Sequence, residues 1–415
     1  MSFTRPRFLL KMLGTLRYLL LWVPVACLVG LLAGSTSALL LWMLVVATTL
    51  REGHHWLIAL LPLAGLAVGC MYHYLGTSVQ AGNDLILNEI HEPTRTVPIR
   101  MTPLILIGTF VTHLFGGSAG REGTAVQTGA SLADQLARPF RMTTAERRVL
   151  LMAGVSAGFA SVFGTPLAGA VFGMEVLAIG AVGYDAIAPC FLAAFVGDFT
   201  TAAWSRLSGV QHTGYSISQV PHPSPYRLLL AAVAGTLFGL TAWAFSRSTQ
   251  AVSAWFKAHF AWPPLRPLLG GTLIAGAVFA CGTTRYIGLG DATILAAFHG
   301  TQPPWQFAGK FVFTALTLGS GFKGGEVTPL FFIGATLGNA LSHLLPLPPS
   351  LLAGMGFVAV FAGAANTPLA STLLAMELFG AEAGVYAAVA CVASYLFSGH
   401  GGIYHAQRVA AAKFL

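Results

Sequence analysis

In this chain ionisable side chains stand between glycines inside otherwise apolar sequence. In GGSAGREGTAVQTGASL (116–132), Arg121 and Glu122 are flanked by Gly120 and Gly123 at the expected start of a helix. A charge within a bilayer costs several kcal/mol on most scales, so such residues are functional candidates by default. A helix start also presents unpaired N–H groups and the positive end of the helix dipole, which together suit an anion. One segment therefore offers an anion cradle and a protonatable carboxylate at the same place. A second segment, GGEVTP (324–329), frees the backbone with glycines ahead of Glu326, Val327 and Thr328, and its Pro329 suits an early helical position. Two further polar breaks are GNDLI (82–86), with Asn83, Asp84 and Leu85, and GGIYH (401–405), with Tyr404.

The elements that hold these residues must be membrane helices. Of 415 residues 55% are hydrophobic and 9% charged, with a mean hydropathy of +0.72; soluble domains carry about 25% charged residues. Apolar stretches at 19–50, 56–72 and 104–115 are long enough, or nearly so, to cross a hydrocarbon core of about 30 Å. Roughly ten to twelve apolar segments are present, several shorter than the usual ~20 residues. Short, Gly- or Pro-interrupted segments predict broken or re-entrant helices around a protein-lined cavity, and the 48 glycines favour close helix packing. The expectation is an all-α polytopic membrane protein.

The formal charge of +8 does not imply nucleic-acid binding, because no basic patch is interleaved with aromatics. Arg5, Arg7, Lys11 and Arg17 precede the first long apolar run and place the N-terminus in the cytoplasm. That run is too long for a cleavable signal peptide. Arg138, Arg141, Arg147 and Arg148 fit either face. The five cysteines stand singly in apolar sequence without metal-ligand spacing. No zinc-binding HExxH, Ser/Lys or paired-Asp arrangement appears, so neither an enzyme nor a bound metal or cofactor is expected.

The chain repeats one pattern. GREGTAVQTGASL (120–132) aligns with GEVTPLFFIGATL (325–337), placing Gly129 opposite Gly334. Further on, a Thr-Pro-Leu-Ala tetrad recurs at 165–168 and 367–370, each nine residues from Pro to a glutamate, Glu175 and Glu377. These glutamates read as helix-end charges. Between the copies, residues 204–226 are rich in Ser, Pro, Gly and His and read as a polar surface loop. The expected divisions are an N-terminal cytoplasmic segment (1–17), a first half (18–203), the loop (204–226) and a second half (227–415). Internal repeats with interrupted apolar segments at matching positions point to a secondary transporter whose site lies where the repeats meet.

Gly-Arg-Glu-Gly at a helix start, a downstream glycine-rich helix start, a late tyrosine and the tetrad block resemble the CLC family of anion channels and proton-coupled anion antiporters, over about 19–404. The resemblance implies a fold of two inverted repeats and a homodimer with one pathway per subunit. Several positions depart from the common chloride pattern. A serine-bearing GSGIP is replaced by GNDLI (82–86), and the proline after Arg-Glu-Gly by Thr124. GxFxP becomes GEVTP (325–329), and Val176 stands where proton-coupled chloride members often carry an internal glutamate. Together these resemble the bacterial fluoride/proton antiporter branch. By resemblance, Glu122 is the gate and proton carrier, and Asn83, Leu85, Gly123, Glu326, Val327, Thr328 and Tyr404 surround the anion. The substrates would be fluoride and protons, and the place a bacterial inner membrane. A chloride/proton antiporter or a passive anion channel of the same fold is the alternative. The plainer alternatives stand beside this: a structural ion pair for Glu122 with Arg121, a backbone cap for Thr328 and an interface anchor for Tyr404.

Overall fold

Why the helices are short is visible in where they end: most stop at a glycine, or at a proline that opens the next one. The computed structural model describes residues 5–414. The first half holds α1 (Arg5–Gly53), α2 (Leu61–Leu75), α3 (Asn83–His91), α4 (Met101–Leu114), α5 (Glu122–Asp134), α6 (Thr144–Phe163), α7 (Pro166–Glu175) and α8 (Ile187–Ser208). The second holds α9 (Pro225–His259), α10 (Leu265–Cys281), α11 (Asp291–His299), α12 (Gln306–Ser320), α13 (Val327–Leu341), α14 (Pro349–Ala365), α15 (Pro368–Phe379) and α16 (Ala381–Phe397). Four helical stretches are long and apolar enough to cross a membrane. Others are not: α5, with 13 residues, is about 20 Å long, shorter than the ~30 Å of a hydrocarbon core.

The expected divisions shift. Residues 1–4 lie outside the described residues, as do the side chains of Arg5, Arg7 and Lys11, and the helix from Arg5 runs through residue 17 without a break. Residues 204–208 finish α8 and 225–226 begin α9, leaving 209–224 as the non-helical connection. That connection is more than a surface loop. Tyr215 packs its ring 5.0 Å from Phe357 and 5.6 Å from Phe298, and His212 Nε2 lies 3.1 Å from the Ser161 carbonyl.

At the centre α5 crosses α6, and α13 crosses α14, through glycines. A Cβ on Gly334 would run into the Gly356 carbonyl, and one on Gly129 into that of Gly154, so both repeats use the same close approach. The core around them is aromatic, with Phe331 stacked on Phe357 at 3.9 Å and Phe159 on Phe172 at 4.2 Å.

The repeat's glutamates turn out to be more than helix-end charges. Glu175, closing α7, accepts hydrogen bonds from Leu369 N (2.9 Å) and Ala370 N (2.7 Å) in the first turn of α15. Glu377, in the last turn of α15, accepts from Leu167 N (2.9 Å) and Ala168 N (2.8 Å) of α7. The two helices are antiparallel, and each carboxylate satisfies N–H groups that the other helix start leaves unpaired. The tetrad threonines are thereby relieved of capping, and their hydroxyls find no partner. Glu175→Ala is expected to destabilise the protein by about 1–2 kcal/mol, the scale of a lost N-terminal cap. A denaturation midpoint equal to wild type would remove this role.

Candidate functional site

The glycines of the two aligned motifs meet each other. Gly120 N donates to Gly325 O (2.6 Å) and Gly325 N to Gly120 O (2.8 Å), an antiparallel bridge that sets the start of α5 against the start of α13. The two glycines thereby satisfy each other's N–H and C=O groups, and the two helix starts are brought together. Gly123 lies against Gly325 in a tight fit: a Cβ there would stand 3.2 Å from both the Gly325 Cα and Asn83 Nδ2.

Glu122 opens α5, and its fully buried carboxylate occupies the start of α13. Its Oε2 accepts from Thr328 N (3.0 Å) and Arg121 N (3.1 Å), and its Oε1 from Thr328 Oγ1 (2.5 Å). Arg121 Nε stands farther off, 3.7 Å from Oε1, and makes no hydrogen bond. The glutamate is therefore held by the opposite repeat's helix start more than by its neighbouring arginine. Thr328, 3% exposed, spends both donors on this carboxylate rather than on its own helix. Val327 is the first residue of α13, so its N–H has no acceptor within that helix.

A cavity of about 190 Å³ opens on the other side of this junction. Asn83, Asp84, Gln127, Lys323, Glu326, Tyr404 and His405 stand on its wall. The Tyr404 hydroxyl has no hydrogen-bond partner among the described residues, and its ring meets Phe172 edge-on at 6.4 Å. Asn83 likewise leaves its Oδ1 without a partner. Leu85 is placed differently: it packs against the apolar core and forms no part of the cavity wall. Of the two, Asn83 lines the cavity and Leu85 does not. Val176 is buried at the wall of a neighbouring small void between Asn83, Phe172 and Tyr404, so its position contributes only apolar surface there.

Other site residues are not evident in the motifs. Gln127 lies one helical turn beyond Gly123 on the same face of α5 and reaches the cavity, a position that its i+4 spacing would have predicted. Asp84 accepts from Ala406 N (3.1 Å) and lies 3.2 Å from His405 Nδ1, which ties the residues after Asn83 and Tyr404 to each other. That hydrogen bond raises the His405 pKa above its ordinary range. The segment bearing Tyr404 is further fixed by two short strands, β1 (Ala178–Ile179) and β2 (Arg408–Val409), paired in parallel. Among the described residues no group of three or more His, Cys, Asp or Glu is arranged to hold a metal ion.

The site so built joins two helix starts, with the Glu122 carboxylate seated on the donors of the second and a polar cavity beside Glu326 and Tyr404. Residues 64–399 match the family described as voltage gated chloride channel, and the chain belongs to this family, the CLC proteins. It is 56% identical over 418 residues to the "chloride/fluoride channel protein" of Pseudomonas syringae pv. tomato, covering 99% of this chain and 91% of that one. Among solved structures it superposes on a CLC-type fluoride/proton antiporter with a TM-score of 0.89 and 33% identity, over 93% of this chain and 97% of that one. It also shares its fold with a slow cyanobacterial Cl⁻/H⁺ antiporter, at a TM-score of 0.80 and 22% identity over 92% and 96% of the two chains.

Proposed function

We propose that the protein is a proton-coupled fluoride exporter of a bacterial inner membrane, not an enzyme, acting as a homodimer with one pathway in each subunit and a cytoplasmic N-terminus. The observation that carries this reading is the Glu122 carboxylate seated on the donors of Thr328, where an anion would sit. As a carboxylate, Glu122 competes with fluoride for these donors. Protonated, it loses the charge that holds it there and yields the position. Loading an anion and loading a proton therefore favour each other, and an inward proton gradient drives fluoride out.

Fluoride is small and tightly hydrated, so its site must replace water with close, well-directed donors. The Val327 N–H, the Tyr404 hydroxyl and the Asn83 amide supply neutral ones, which bind without a full positive charge and so still allow release. Support for fluoride comes from the solved antiporter at 33% identity and from the relative whose name couples chloride with fluoride. That second name also keeps chloride exchange, or a passive anion pathway, as the rival reading.

The deciding experiment is proton movement in liposomes holding the purified protein, driven only by an anion gradient. Uphill proton flux driven by fluoride and poorly by chloride supports the proposal. Equal driving by chloride makes the protein a chloride exchanger, and anion flux without protons makes it a channel. Tyr404→Phe removes one donor and is expected to weaken fluoride binding by about 1–3 kcal/mol. Titration calorimetry showing unchanged affinity would take Tyr404 out of the site.

A further inference from the structure

Lys323 is the one charged group on the cavity wall for which sequence and function so far give no use. It sits between two glycines of positive φ, Gly321 (+108°) and Gly324 (+152°), in the loop that delivers the chain to Glu326 and α13. Among the described residues it makes no hydrogen bond and no salt bridge. Its ammonium instead lies over the ring of Tyr72 on α2, 4.0 Å from the centroid. Its stem passes close to Gly108 of α4, where a Cβ would stand 2.9 Å from Lys323 Cβ. A ring face holds a cation by its quadrupole without neutralising it, so the charge is fixed in place and still available to an anion.

The surrounding groups leave that charge exposed to the cavity. Asp84 is engaged by His405 and the Ala406 N–H. Lys257, on α9, adds a second positive charge close enough to act on Lys323. Glu326 is the opposing charge, on the same cavity wall but with no ion pair to the lysine. Gln127 is 6% exposed, has no hydrogen-bond partner among the described residues, and opens into the same space. A polar cavity that holds both an unpaired ammonium and an unpaired amide is built to receive something that accepts hydrogen bonds and carries negative charge.

We infer that Lys323, held by Tyr72, is the recruiting charge of the cavity: it draws the anion in by its field and sets the apparent affinity from that side, while the cradle at α13 does the binding. The wall carries both signs of charge, with Asp84 tied to His405 and Ala406 and Glu326 turned to no cation, so the pull on an anion comes from the local field of the unpaired ammonium, and that pull weakens as salt screens it. The inference rests on the chain being an anion transporter, but not on which anion it moves. It is tested with whichever of fluoride or chloride the wild type transports, so a failed fluoride reading and a failed lysine role remain separate results.

The experiment is initial anion flux from the cavity side in liposomes, as a function of anion concentration and at low and high ionic strength. Lys323→Met is expected to raise the half-saturating concentration about threefold to tenfold at low salt, to leave the maximal rate near wild type, and to flatten the salt dependence. Lys323→Arg should restore both quantities. Tyr72→Phe keeps the ring and should behave as wild type, whereas Tyr72→Leu should shift towards the methionine variant. A fall in maximal rate with unchanged half-saturation would overturn the inference, as would a wild-type salt dependence in Lys323→Met. If Lys323→Met does not fold, Tyr72→Leu carries the same test, and a wild-type response in it is then decisive against the role.

Discussion

In Glu122→Gln, proton movement driven by an anion gradient is expected to fall to the level of protein-free liposomes. The amide has the size of the carboxylate but no charge to place on the α13 donors and no proton to carry at ordinary pH. The geometry makes the loss specific. The native carboxylate accepts from Thr328 N at 3.0 Å and from Thr328 Oγ1 at 2.5 Å. The amide offers one acceptor oxygen, and turns an NH₂ towards whatever the other faced. With the competitor gone, the cradle stands open to anions at every pH, and flux should continue without coupling. Proton flux recorded with a pH-sensitive dye, beside anion efflux recorded with an ion-selective electrode, separates the two. Coupling that survives intact would remove Glu122 from the proton route and return it to the role of a structural ion-pair partner.

Arg147→Leu should destabilise the folded protein by about 3–5 kcal/mol, the cost of breaking a buried ion pair from one side. Arg147, on α6, donates to Asp134 through Nε (2.6 Å) and Nη2 (2.8 Å), to Glu89 through Nη1 (3.1 Å), and to the Arg95 carbonyl. Asp134 is fully buried at the end of α5 and would keep only the Val97 N–H as a donor. Glu89 would fare better, since Thr94 and Arg95 already supply backbone donors. Arg147→Lys keeps the charge but not the fork, and should fall between. Denaturation midpoints of the purified protein measure this, and a loss below about 1 kcal/mol would show that the pair is solvated in practice. Because Arg147 joins α3 to α5, whose starts carry Asn83 and Glu122, the same variant should also weaken fluoride binding.

The parts of the site that could be read from sequence are those where chemistry and backbone geometry coincide. A glutamate at a helix start between glycines has few structural reasons to exist in apolar sequence, and Glu122 stands where that argument puts it. The aligned Gly120 and Gly325 matched as letters, but nothing local says that they hydrogen-bond to each other, because the contact spans two halves of the chain. Glu175 and Glu377 show the same limit. Each is a charge at a helix end when read along the chain, and a cap only when the other repeat is folded against it. Leu85 is two residues from Asn83, and on a helix that spacing turns its side chain away from the cavity towards the core. Arg147 is one of a cluster of four arginines, and only the fold distinguishes it. Lys323 and Tyr72 lie on elements far apart in sequence, so no motif could join them.

The exchanged caps of α7 and α15 also bear on how the chain is made. Leu167 and Ala168 are emerging from the ribosome some 209 or 210 residues before Glu377 exists to receive their N–H groups. Gly120 waits similarly for Gly325, and Glu122 for Thr328, 206 residues later. The first half is therefore inserted with its most polar helix starts unsatisfied, in a solvent that offers them nothing. The contacts that hold Glu122 at the start of α13 do not exist before the second half is made. Contacts of such long sequence separation form slowly, so the site is expected to be among the last parts of the fold to close.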